Sequence, residues 1–172
     1  LTAYPDSPIA GKVRQKMDAL RQSQKKEQNK AFRQQFRQLL AQSGDRFVET
    51  TPGVVLDSRT GLMWQLFDAG MQLHEDCLTY DQARQYVENA ETGGYTDWRL
   101  PTAEELAGIY KQKPHFPSVE EKWYWTADSY SSYSEGWQKI VDTVDNRPGE
   151  NWRVERRDSR RCGAVRAVRK DK

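Results

Sequence analysis

Six arginines crowd into sixteen residues near the end of this chain, in NRPGENWRVERRDSRR: Arg147, Arg153, Arg156, Arg157, Arg160 and Arg161, with Trp152 among them. Guanidinium forks pair in bidentate fashion with sulfate and carboxylate, so the chemistry on offer is recognition of anions, with Trp152 as a stacking surface. The segment reads as a long loop between the last strands, where binding residues commonly sit. A competing reading pairs the same arginines with Glu150, Glu155 and Asp158 in a solvated loop.

Other reactive residue types are sparse. Cys77 and Cys162 are the only thiols, and neither stands beside a histidine that would serve as its base. His74 in LHEDC and His115 in KPHFP lack the spacing of a zinc pair. Asp142, Asp145 and Glu150, near Asn146 and Asn151, resemble an oxygen-rich calcium loop, but the lectin triplets Glu-Pro-Asn and Trp-Asn-Asp are missing. Glu104 and Glu105 could suggest an acid/base pair. Neighbours on a helix diverge by about 100°, and both fit the first turn of a helix, where carboxylates serve the cap and the dipole. With no Ser-His-Asp array and no phosphate loop, the expectation is a protein that is not an enzyme and holds no metal or cofactor.

Any such site needs a scaffold. The chain has 172 residues, enough for one domain with a flanking segment. Hydrophobic residues make up 36% and charged residues 30%, a polar balance, but six tryptophans and eight tyrosines can build a core. No run approaches the roughly 18 uncharged apolar residues that would span a bilayer. The chain begins at Leu1 without methionine, which fits removal of a signal peptide or anchor.

Charge is segregated. Residues 12–37 hold nine Lys/Arg against two Asp/Glu, residues 44–146 eight against eighteen, and residues 147–172 ten against four. The basic ends either attract the acidic middle within the fold or form a binding surface.

Residues 11–43 contain no Pro and, after Gly11, no Gly, and are rich in Gln, Lys, Arg and Ala, so residues 1–43 read as a helical stalk. Val13, Met17 and Leu20 begin an apolar seam that Gln24 and Glu27 interrupt, so the stalk is not expected to form a stable coiled coil alone. Phe32, Phe36, Leu39 and Leu40 are expected to dock its end on the domain of residues 44–172. Its basic residues surround the cylinder without aromatic interleaving, which argues against nucleic acid.

Beyond Gly44, Val54 to Leu56 and Leu62 to Trp64 flank Asp57-Ser58-Arg59-Thr60-Gly61, a hairpin. Thr79 and Gln82 form a capping box for a helix with Ala83, Tyr86, Val87 and Ala90 on its face, ended by Gly93-Gly94. Thr102 and Glu105 form a second box behind Pro101. Extended DWRLP before it turns Trp98 and Leu100 inward and leaves the Arg99 guanidinium for a carbonyl or an acid. Residues 123–129, 136–144 and 162–169 read as strands. Helices early and strands late give an α+β plan rather than parallel βαβ units.

Together VVLDSRTGLMWQ, TYDQARQYV, GGYTDWRLPTAEEL, YWTADSY, GWQKIVD and VRAVR resemble a bacterial domain family named for the C-terminal domain of a Legionella collagen-like surface adhesin. Asp57, Gly61, Trp64, Asp97, Trp98, Arg99, Pro101 and Trp125 stand at positions that family favours. The resemblance implies a C-type-lectin-like fold with two short helices and mostly antiparallel short strands, preceded here by the long helix. It also implies a secreted or periplasmic module, in some members a glycan binder. The family's terminal cysteine is replaced by Ala167, with Cys162 five residues earlier. The paired copper-binding cysteines of the related formylglycine-generating enzymes have no counterpart. In a secreted domain two cysteines form a disulfide more often than a nucleophile, so a Cys77–Cys162 bridge stands against free structural thiols and a reactive cysteine.

The expected function is therefore a non-enzymatic, extracytoplasmic binding module for anionic polysaccharide. Its competitor is a structural module that binds an envelope protein through the stalk, with a homo-oligomer left open.

Overall fold

The computed structural model describes residues 8–42, 44–73, 77–110, 116, 123–129, 137–142 and 153–171. It is α+β: a long helix, three short helices and two small antiparallel sheets. Contacts divide the chain into Leu1–Gln35 and Phe36–Lys172.

Helix α1 (Pro8–Gln42) follows from its good helix formers and opens with proline at its first position. In the first unit Ile9, Val13, Met17 and Leu20 lie 48% to 74% exposed. In the second unit the last turns of α1 place Phe36, 2% exposed, 5.1 Å from the Phe116 ring, and Arg37 pairs with Glu49 at 3.3 Å. Leu40 is half-buried there, and the Leu39 side chain lies outside the described part.

The first sheet runs β1 (Phe47–Thr51), β2 (Val54–Asp57), β3 (Leu62–Gln65), β7 (Val168–Lys170), in that order. The β2–β3 hairpin pairs Asp57 with Leu62. Its turn is held by Asp57, which accepts from Arg59 N–H at 3.1 Å through Oδ1 and from Gly61 N–H at 2.9 Å through its carbonyl. Gly61 has φ +66°, where a side chain would strain the turn. Strand β1 was not anticipated from the sequence. Its short polar Val-Glu-Thr-Thr run becomes a strand only because β2 lies beside it.

The second sheet is β4 (Trp123–Ser129), β5 (Trp137–Asp142), β6 (Arg153–Asp158). Strand β6 corrects the expected arginine loop: six of its residues pair with β5, from Trp137–Asp158 to Asp142–Arg153. The expected strand over 162–169 also shrinks. Only Val168–Lys170 forms one, while Gly163 bridges Leu78, Ala164 bridges β4, and Val165 and Ala167 carbonyls accept from Ala69 and Gln65. A buried backbone must pair each polar group, and here different segments supply the partners.

Helix α2 (Ala69–Leu73) is a single turn capped by Asp68, whose Oδ1 accepts from Met71 N–H at 2.9 Å. Helix α3 (Tyr80–Glu88) starts with the expected Thr79–Gln82 box. It ends at Asn89 rather than at Gly93-Gly94, which lie beyond it in a 3-10 turn. Gly93 is needed at φ +69°: a Cβ there would meet Val54 Cγ2 at 2.5 Å. Helix α4 (Ala103–Tyr110) has the second box, with Glu105 N–H donating to Thr102 Oγ1 at 3.1 Å and Thr102 N–H to Glu105 Oε2 at 2.8 Å.

Arg166, 0% exposed, lies where these pieces meet. Its Nη1 donates to the carbonyls of Gln65 at 2.8 Å and Leu66 at 2.6 Å, and its Nε to the Tyr110 hydroxyl at 3.3 Å. Asp68 stands 3.8 Å away and accepts from the Tyr124 hydroxyl at 3.0 Å. Burial alone lowers a guanidinium pKa, but Tyr110, Tyr124 and Asp68 outweigh it, so the net shift is upward and the charge persists.

Arg166→Met should destabilise by about 3 to 5 kcal/mol in urea unfolding, because Asp68 and two carbonyls lose a buried partner. Adding Asp68→Asn should recover part of it. A loss below about 1 kcal/mol for the single variant would show that the guanidinium does not hold the core.

Candidate functional site

The described arginines lie on β6 and on the turn that follows it. Arg147 and Trp152 fall outside the described residues, as do the side chains of Arg153 and Arg156. Register sets Arg156 opposite Lys139 and Arg153 opposite Asp142 on β5. Arg157 is half-buried, 5.9 Å over the Trp123 ring. Arg160 is 88% exposed and closes the turn on Asp158, donating from Nη2 at 2.6 Å and from Nε at 3.0 Å. That pairing holds the Asp158 carboxyl down at about 2. Arg161 is exposed and makes no side-chain hydrogen bond among the described residues.

The turn is anchored from below. Cys77 and Cys162 form a disulfide with Cα atoms 5.2 Å apart, so no free thiol remains. Leu78 and Gly163 exchange backbone hydrogen bonds at 2.9 and 2.8 Å, and Tyr80 N–H donates to the Ser159 carbonyl at 3.0 Å. The arginine turn is thus tied to the start of α3. Gly163 has no room for a side chain: a Cβ there would overlap the Trp123 ring.

The residues named from the family pattern build shape. Asp57 is buried and takes both forks of Arg46, at 3.0 and 2.7 Å. Trp64 is buried. Asp97 accepts from Arg169 at 2.6 Å, and Arg169 lies 3.9 Å over the Tyr95 ring. Trp98, 4% exposed, donates from Nε1 to the Thr92 carbonyl at 3.2 Å. The Pro101 carbonyl accepts from Ala127 N–H at 2.7 Å. Trp125 donates to the Leu78 carbonyl at 2.8 Å. Arg99 satisfies both expectations for it, bonding the Leu100 carbonyl and, through two bonds of 2.8 and 2.7 Å, Glu105. Arg166–Asp68 and Arg169–Asp97 also show the basic terminal block pairing with the acidic middle.

Cavities on the described surface include two that bear on function. One, of 360 Å³, lies over Trp64 and is walled by Arg46, Asp57 and Glu105, which are engaged with one another or with Arg99. The other, of 650 Å³, is an open groove along α3 that the sequence reading missed. Gln82, Gln85 and Asn89 sit on its rim. Their spacing of three and four, a polar stripe beside the Ala83–Val87 core stripe, was the available signal. Among the described residues no group of His, Cys, Asp and Glu could hold a metal ion. His74, His115, Asp145, Asn146, Glu150 and Asn151, and the Asp142 side chain, lie outside that description.

Fold and site define a disulfide-stapled α+β module with a cationic edge strand. No helix among the described residues is long and apolar enough to cross a membrane. The chain belongs to the Lcl C-terminal domain family, whose model matches residues 53–169, the hairpin through the buried terminal strand. No curated protein matches the chain.

Glu105 illustrates how the carboxylates are used. Its pKa is lowered from 4.5, chiefly by the Arg99 hydrogen bonds, against the upward pull of burial. A depressed folded pKa adds stability that is complete above the unfolded value and vanishes as pH falls through the folded one. The melting temperature should therefore drop as pH falls below about 4.5, the ordinary value of the carboxyl. Glu105→Gln should flatten that slope and lower the neutral-pH melting temperature by roughly a few degrees. An unchanged slope would detach the pair from stability.

Proposed function

We propose that the chain is an extracytoplasmic, non-enzymatic binding module of the cell envelope that takes anionic polysaccharide on the strand and turn running from Arg153 to Arg161. The observation that carries this is the exposed Arg160–Arg161 turn, pinned by the Cys77–Cys162 disulfide and the Tyr80–Ser159 hydrogen bond. Pinning lowers the ordering cost of binding, and guanidinium forks reward sulfate or uronate oxygens that neutral hydroxyls cannot match. The disulfide supports an oxidising, extracytoplasmic compartment. A C-type-lectin-like arrangement is part of the same reading.

A variant with Arg156→Thr, Arg157→Thr, Arg160→Ser and Arg161→Ser should lose retention on immobilised heparin at about 0.15 M salt. Its melting temperature should fall only modestly, through the contact of Arg157 with Trp123. Wild-type retention should weaken as salt rises, because exposed charges are screened. A folded variant that still binds would move the site to the basic helix, and an unfolded one would make the arginines structural.

A second reading rests on α1. Ile9, Val13, Met17 and Leu20 are spaced four, four and three residues apart and stand exposed among basic residues, the pattern of a helix that meets a protein partner. Because Gln24 and Glu27 break the seam, the peptide from Lys12 to Ser43 should be largely unfolded and monomeric at micromolar concentration by circular dichroism and sedimentation. A stable helical oligomer would instead make the helix a self-assembly device.

A further inference from the structure

The groove along α3 has a chemistry unlike that of the arginine turn. Among the described residues of its lining, Glu91 is the one that carries a charge. Leu73, Leu78 and Ala90 supply apolar surface, and Leu73 is 45% exposed, an unusual state for a large aliphatic residue of this unit. At 650 Å³ it falls within the usual range of small-molecule sites, about 300 to 1,000 Å³.

Its inner wall is fixed by a relay of hydrogen bonds. The Tyr86 hydroxyl donates to Gln65 Oε1 at 2.8 Å, Gln65 Nε2 donates to Thr92 Oγ1 at 2.9 Å, and the Thr92 hydroxyl donates to Gln72 Oε1 at 3.4 Å. Gln72 Nε2 completes it on the Phe67 carbonyl at 2.8 Å. Each amide orients the next, so the wall is set before a ligand arrives.

The rim is only half used. Gln82 spends its Oε1 on Thr79 N–H at 2.8 Å and keeps its amide donors. Asn89 spends an amide hydrogen on the Gln85 carbonyl at 2.8 Å and keeps its side-chain oxygen. The Gln85 carboxamide makes no hydrogen bond among the described residues. Among the described residues, donors and acceptors therefore alternate over an apolar floor.

We propose that this groove is a binding subsite for an uncharged, N-acetylated sugar unit. Ring hydroxyls both donate and accept, as the carboxamides of Gln82, Gln85 and Asn89 do. The acetyl methyl and the apolar face of the ring suit Leu73, Leu78 and the Tyr86 ring. A free anion would find no cation among the described lining residues to compensate its desolvation. The subsite does not depend on the polyanion reading. Leu78 nonetheless bridges Gly163 next to the disulfide, so groove and arginine turn are tied to the same stretch of chain.

The test is a ¹⁵N-resolved NMR titration of the full chain with N,N′,N″-triacetylchitotriose. Side-chain amide signals of Gln82, Gln85 and Asn89 should shift saturably, with a dissociation constant near roughly 1 mM. Affinity should hold from about 0.05 to 0.5 M salt, a range over which exposed ion pairs are screened. Gln85→Ala, at an exposed position, should weaken binding about fivefold, as expected for one neutral hydrogen bond. Leu73→Glu should abolish it, while Arg160→Ser with Arg161→Ser should leave it unchanged. The deacetylated trimer should bind far more weakly. No saturable shift, shifts confined to other residues, equal binding of the deacetylated trimer, or indifference to both Gln85→Ala and Leu73→Glu would each overturn the proposal.

Discussion

The organisation of this domain turns on one buried positive charge. Arg166 is sealed from bulk solvent, and the oxygens that compensate it come from the protein. Those oxygens belong to the end of β3, to the residue that caps α2 and to the last residue of α4, while Tyr124 of β4 secures Asp68. A single group thus ties both sheets and two helices to one geometry. Apolar packing alone would permit several arrangements of such short elements. A guanidinium fork with directed partners permits far fewer.

The same terminal segment carries that constraint outward. Residues 163–169 are buried, and Gly163, Ala164, Val165, Ala167 and Val168 pair backbone groups with Leu78, β4, Ala69, Gln65 and Arg99 in turn. Cys162 stands at the exit and is bonded to Cys77, so the arginine turn just before it inherits the rigidity of the core. Gly163 belongs to this arrangement because the Trp123 ring occupies the space a side chain would need. Binding loops held by a rigid frame lose less freedom when they engage a ligand.

Local signals in the sequence were legible where one short stretch contains its own cause. Thr79 with Gln82, Thr102 with Glu105, and Asp57 with Gly61 each satisfy backbone groups a few residues away, and all three work as their spacing says. Alternation also placed Trp98 and Leu100 inside and Arg99 outside. Elements whose cause is distant were not legible. The polar, arginine-dense run of β6 is a strand because β5 pairs with it, and β1 exists because of β2. Stop signals misled too: α3 ends at Asn89, whose side chain caps the Gln85 carbonyl, before its glycines are reached. The groove was hidden for a related reason. Its wall joins Gln65, Gln72, Tyr86 and Thr92, which only the fold brings together.

The position of β6 gives its charge two consequences. As the outer member of the second sheet among the described strands, it presents an open edge, and such edges invite pairing with other chains. Charged residues on an edge strand disfavour pairing with a second chain, and β6 carries three arginines. Its neighbour β5 sets Asp142 opposite Arg153 and Lys139 opposite Arg156. On the reading proposed above, the arginines that disfavour self-pairing are also those that attract a polyanion, and the disulfide beneath the turn keeps them at a fixed place on the surface.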